Sequence, residues 1–245
     1  MQDTIRERKE RYFIVLASFF IGSMAVLNII GLTRFMQLGP FSIAVGVLPY
    51  PLTFLCTDII SEFYGKARAN WLVTIGLVLN IFILTLMAVG DAIPSVAPEL
   101  QPSWQTFYLA RNTLLADGTV ASGHVELYHA LFTCSQGAML ASMVGYLAAQ
   151  YCDVHLYHFW RKLTRGKHLW LRNNGSTLVS QLIDSLCVVS VTFAMAVYRG
   201  EMSVDTLISL IISNYLFKAC AALFDTPFMY GAVWFFKRRG IEAVH

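Results

Sequence analysis

Six apolar stretches, each close to the roughly 20 residues needed to cross about 30 Å of hydrocarbon, divide this chain. They cover residues 12–32, 41–64, 71–90, 128–151, 177–198 and 204–236. Inside a bilayer no water can satisfy backbone N–H and C=O groups, so only helices and closed barrels cross it. The runs are long and lack the period-two alternation of barrel strands, which favours helices. Charged residues make up 13% of the 245-residue chain, about half the usual share for a soluble domain, and the mean hydropathy is +0.57. These features predict an all-α membrane protein with six transmembrane helices. The sixth run exceeds one straight crossing and contains Pro227, which is expected to kink or end the helix. No Pro/Gly/Ser linker divides the sequence, so residues 1–245 are expected to form a single integral membrane domain. The start, "MQDTIRERKERYFIVLASFF", reads as a retained first span rather than a cleaved signal.

The basic residues give an orientation. Fourteen of the 18 Lys and Arg fall on one side, in the runs 6–11, 66–68, 161–172 and 237–239. The opposite side holds Arg34, Arg111 and Arg199, and Lys218 lies within a span. The positive-inside rule therefore predicts that both termini are cytoplasmic and that the chain is a multi-pass protein of the inner (plasma) membrane. It also accounts for the net charge of +3 without a nucleic-acid partner. Residues 91–127 form the one long loop, in which "WQTFYLARNTLLA" reads either as an interfacial amphipathic helix or as a solvated segment.

Several chemistries find no support. There is no phosphate-binding G-x-x-x-x-G-K-[ST] run, so the chain is not expected to hydrolyse ATP. His155 and His158 near Asp153 lack further ligands at workable spacing, so neither a metal nor a cofactor is expected. Ser176 in "NGSTL" has no activating histidine within a span and reads as a helix cap. The five cysteines form no C-x-x-C pair and read as small packing residues.

What remains is a set of polar groups within the spans, which are expensive there and default to functional sites. They are Asp58 and Glu62 in the second run, Asp184 in the fifth, and Lys218 and Asp225 in the sixth. At about 1.5 Å per residue, Asp58, Asp184 and Asp225 lie roughly 9, 12 and 16 Å from the basic side, so they can share a layer that Lys218 reaches. Glu62 lies nearer the surface, where Lys66 is available four residues on. Three acids facing one lysine leave net negative charge for protons or a ligand to balance. That predicts a polar cavity between spans two, five and six, with Gln181 and Asn214 on the same helix faces. Asn28, Asn80 and Gln136 are weaker members of this set, each reading more readily as a helix–helix hydrogen bond.

Three stretches carry a resemblance: "YPLTFLCTDIISEFYGKARA", "ASMVGYLAAQYCDVHLYHFWRKLTRGKHLWLRNNGSTLVSQLIDS" and "NYLFKACAALFDTPFMYG". Together, about a third of the chain, they resemble the vitamin-uptake-transporter-like family of queuosine precursor transporters. The resemblance implies six helices arranged like the substrate-binding subunits of energy-coupling-factor importers. It also implies uptake of 7-deazaguanines (preQ0, preQ1 or queuine). Its functional positions would fall on Asp58, Gln181, Asp184 and Lys218. Asp153, Trp170, Arg172 and Asn173 match motif positions that the hydropathy places at the cytoplasmic surface, where, as for Glu62, a structural or gating role competes with substrate contact. A guanine-like ring presents two adjacent N–H donors beside one carbonyl, which suits a carboxylate (Asp58 or Asp184) together with Lys218, Gln181 or Asn214. Phe54 or Tyr215 would stack on the ring, and a second acid such as Asp225 would take an amine. The leading expectation is an importer, alone or as a homo-oligomer. The alternatives are a binding subunit needing an ATP-driven partner and, in a different class, a membrane enzyme using the acids for proton transfer.

Overall fold

The structure is a computed structural model that describes residues 2–31, 33–39, 41–115, 117–200 and 202–244. Leu32, the expected end of the first span, lies outside the described residues. Helix α1 (Gln2–Ile30) leads into a hairpin of β1 (Phe35–Leu38) and β2 (Phe41–Ala44), paired antiparallel with Phe35 opposite Ala44. A single 3-10 turn (Val45–Val47) follows, and then α2 (Tyr50–Tyr64), α3 (Lys66–Ala92), α4 (Leu127–Leu163), α5 (Leu169–Tyr198) and α6 (Val204–Arg238). Among the described residues five helices, all except α2, are long and apolar enough to cross a membrane.

The second apolar run is therefore not one helix. β-Branched Ile43 favours the extended backbone of β2. Pro49 and Pro51 cannot donate within a helix but fit its first turn, so α2 starts only at Tyr50. Its 15 residues rise about 22 Å, short of the hydrocarbon thickness. Yet α2 is the most enclosed element: eleven of its residues, Thr53, Phe54 and Cys56 through Tyr64, are buried. Gly65 joins it directly to α3 with φ +84°, a conformation that side chains resist.

The large apolar side chains are arranged as a bilayer requires. Phe19, Trp71, Phe82, Val144 and Phe224 on the long helices are more than half exposed. The interior buries Asp58, Glu62, Asn80, Asp153, Arg172, Gln181, Asp184 and Lys218. A packed layer of Phe20, Met24, Ile60, Phe63, Leu72, Tyr157 and Phe236 closes the end of the bundle that carries the basic runs.

Several boundaries differ from the hydropathy reading. Helix α4 continues to Leu163, and α5 already begins at Leu169, so the expected basic loop shrinks to a tight turn in which Arg165 and His168 take positive φ. Asp153, Arg172 and Asn173, expected at the surface, are 0%, 4% and 3% exposed; only Trp170 is an exposed group. Ser176 is not a cap: it lies within α5 and donates to the Asn173 carbonyl at 3.1 Å. Helix α6 runs through Pro227 without ending. Beside it, Asn174 and Thr226 exchange hydrogen bonds of 2.8 and 3.0 Å, tying α5 to α6.

The segment 93–126 is neither an amphipathic helix nor a plain loop. It forms two nested antiparallel pairs, β3 (Thr106–Tyr108) with β6 (His124–Glu126) and β4 (Thr113–Leu114) with β5 (Val120–Ala121). At its base Gln101 receives from Thr106 at 2.6 Å and donates to Glu126 at 3.0 Å, while Ser95 donates to the same Glu126 oxygen. The five cysteines are free. At the basic end, residues 241–244 fold back under the bundle: Ile241 is buried, and the Val244 N–H donates to the Glu62 carbonyl at 3.0 Å.

Candidate substrate-binding site

A cavity of about 300 Å³ opens between α1, the β2–α2 connection, α5 and α6. Its apolar wall includes Leu27, Ile43, Val47, Val188 and Phe193, and its polar groups are Asn28, Ser142, Thr192, Asn214 and Lys218. One wall exists because two glycines cross: a Cβ on Gly46 would stand 2.6 Å from the Gly31 Cα, and the Gly46 N–H donates to the Gly31 carbonyl at 3.3 Å. Toward the basic end the cavity meets a narrow cleft that shares Val47, Tyr50 and Lys218 and adds Phe54, Thr177, Gln181 and Asp225.

Lys218 stands at this junction. Its ammonium donates to Asp184 on α5, with both side chains almost wholly buried, and lies 4.1 Å from the centroid of the Tyr50 ring. In so apolar a setting a paired carboxylate and an aromatic face are what make a lysine tolerable. Asp184 does not line the cavity; it packs against Gly145 of α4, behind Lys218. Tyr50 in turn stacks on Phe54 with centroids 6.4 Å apart.

The remaining polar groups of the two spaces are amides, hydroxyls and the Asp225 carboxylate. Asn28 uses both amide hydrogens, toward the Met24 carbonyl at 3.0 Å and Asn80 at 2.9 Å, which leaves only its oxygen to offer. The side-chain oxygens of Asn214 and Gln181 have no hydrogen-bond partner. With Asp225 they set acceptors around the one cationic donor, Lys218, beside the amide hydrogens that Asn214 and Gln181 also carry.

Asp58 and Tyr215 line neither space. One turn nearer the basic end than Phe54, Asp58 faces Asp153 of α4, so Lys218 does not lean toward it. Glu62, a further turn toward that end, does not pair with Lys66. Arg172 donates to it at 2.6 Å, Tyr157 donates at 3.0 Å, and Arg161 approaches to 3.7 Å. Arg172 also donates to the Gly166 carbonyl at 2.8 Å, clamping α2 to the α4–α5 turn. Asn173 is buried one turn before Thr177, which donates to its carbonyl at 2.8 Å. Among the described residues no group of three His, Cys, Asp or Glu is placed to hold a metal ion.

Sequence reasoning missed Tyr50. Tyr50 carried a signal, because Tyr50, Phe54 and Asp58 follow at four-residue spacing on one face of α2.

Residues 44–232 match the model of the family described as "Putative vitamin uptake transporter". The chain belongs to this family. It is thus a transporter by family, and with its five long apolar helices it is a multi-pass protein of the plasma membrane. The transporter is also 27% identical over 214 residues to the "Probable queuosine precursor transporter" of Bacillus subtilis (strain 168), covering 87% of this chain and 81% of that one. No solved structure matches.

Proposed function

We propose that this transporter imports queuosine precursors of the 7-deazaguanine class (preQ0, preQ1 or queuine). The observation that carries the reading is the polarity of the paired cavities. A 7-deazaguanine offers ring and exocyclic N–H donors in excess of its carbonyl acceptor. Its donors suit the oxygens of Asn28, Asn214, Gln181 and Asp225, its carbonyl suits Lys218, and its ring suits the faces of Tyr50 and Phe54. Asp184 holds Lys218 in position, and the aminomethyl group of preQ1 would meet Asp225. The name of the Bacillus subtilis relative supports the same substrate class. In this reading the chain is one domain without catalytic activity and crosses the membrane six times, with the β1–β2 hairpin and α2 together making one crossing. The basic end is cytoplasmic, and the helices are arranged like the binding subunits of energy-coupling-factor importers.

The test is uptake of labelled precursor into cells lacking precursor synthesis, their own transporter and energy-coupling-factor genes. Expression of this chain should restore uptake, and Lys218→Ala and Asp184→Ala should abolish it. Wild-type transport by both variants would refute the site. Uptake that appears only when an ATP-driven partner is supplied would make the chain a binding subunit.

A further inference from the structure

The buried charges of the bundle balance in two places and not in a third. Asp184 is paired with Lys218, and Glu62 with Arg172 and Arg161. Asp58 and Asp153, 2% and 0% exposed, face each other, and among the described residues neither forms an ion pair with Lys, Arg or His. Ser180 donates to one Asp153 oxygen at 3.1 Å, while the other Asp153 oxygen and one Asp58 oxygen have no partner. Ser61, one turn after Asp58, and Gln150, one turn before Asp153, also keep buried oxygens without a partner. Two facing carboxylates enclosed by protein at this depth cannot stand as a bare pair of negative charges.

We propose that the Asp58–Asp153 pair is the coupling site of the transporter, holding one exchangeable monovalent cation, a proton or Na⁺, whose passage drives substrate import. Either ion meets the chemistry. A proton forms an O–H bond on one carboxyl and is shared with the other. Na⁺ takes hard oxygen ligands from the two carboxylates, with Ser180, Ser61 and Gln150 on the same helix faces. The position suits coupling. Asp58 lies one turn from Phe54 of the substrate cleft and one turn from the Glu62 clamp, and Ser180 adjoins Gln181. Parting α2 from α4 and α5, which a path to the basic end requires, would split the pair and expose its charge, so the step is favoured only when the cation comes or goes with it. The other titratable groups that face the pair are Glu62 on α2, Cys152 and Tyr157 on α4 and Asp225 on α6. On α5, Arg172 and Asp184 are engaged with Glu62 and Lys218.

The inference rests on the importer reading, and one experiment separates the two. Purified protein in proteoliposomes, with the membrane potential clamped at zero, is given labelled preQ1 under three conditions: an inward proton gradient of one pH unit, a tenfold inward Na⁺ gradient, and no gradient. One-to-one coupling supports about tenfold accumulation under one of the two gradients. Asp58→Asn with Asp153→Asn should accumulate none above equilibrium. Wild-type vesicles that fill to the same equilibrium level under all three conditions overturn the inference and leave the importer standing. No entry of preQ1, or of preQ0 or queuine supplied in its place, under any condition overturns the importer reading, and the inference falls with it. The wild-type comparison decides the matter even if the double variant fails to fold.

Discussion

Arg172→Ala should loosen the basic end of the bundle by an amount the geometry sets. The Arg172 and Glu62 side chains are 4% and 5% exposed and 2.6 Å apart. Removing one partner of a buried pair costs about 3–5 kcal/mol, because the other charge is stranded. Here the lower end applies, since Arg161 at 3.7 Å and the Tyr157 hydroxyl at 3.0 Å remain on Glu62. The lost hydrogen bond to the Gly166 carbonyl adds about 1 kcal/mol. A total of about 4 kcal/mol corresponds to a fall in melting temperature of roughly 8–16 °C in a protein of this size. The assay is thermal unfolding of detergent-purified protein across the cycle of wild type, R172A, E62A and the double variant. Because the double variant leaves only the more exposed Arg161 without Glu62, its loss should fall short of the sum of the singles by about 2 kcal/mol or more. Additive losses, or an R172A shift under about 2 °C, would show that the pair is solvated and that this end is not clamped.

Three further outcomes follow from the geometry. Gly46→Ala places a methyl group against the backbone of Gly31 and Leu27, so it should destabilise by about 1–3 kcal/mol in thermal unfolding and reduce uptake by pushing the hairpin off α1. Tyr50→Leu removes the aromatic face beneath Lys218 and should weaken 7-deazaguanine binding about tenfold by calorimetry, whereas Tyr50→Phe, which keeps that face and loses only the hydroxyl beside Asp184, should lose less. In the 93–126 segment, hydrogen bonds from Ser95 and Gln101 hold the Glu126 carboxyl below its ordinary value of 4.5. The folded value being depressed, that stabilisation is present above about pH 4.5 and is lost as pH falls through the folded value. Protease resistance of the segment should drop on acidification in wild type and lose this pH dependence in Glu126→Gln.

The long helices were legible because hydrocarbon imposes length and apolarity on every crossing. What those rules describe least well is buried polar structure. Hydropathy ends the fourth run near Tyr151 and starts the fifth near Thr177, because Asp153, Arg172 and Asn173 read as surface. Their burial depends on partners from other helices, which no window along one helix can register. Asp184 and Lys218 read as members of one polar cluster, and they do meet. Depth and the family motif both put Asp58 with them, but rotation about the α2 axis, which neither registers, turns it to Asp153. The 41–64 run failed as a single helix for a local reason, its β-branched Ile43 and two prolines. In the 93–126 segment, strand pairing between residues far apart in the loop decided against the amphipathic pattern.

The folded-back tail has a practical consequence for anyone handling the protein. Because the Val244 amide is hydrogen-bonded to the end of α2, sequence added after residue 244 leaves from beneath the bundle, beside Glu62. An affinity tag or fluorescent reporter fused there would tug on the seal itself, so a tag at the other terminus is the better choice when transport is to be measured.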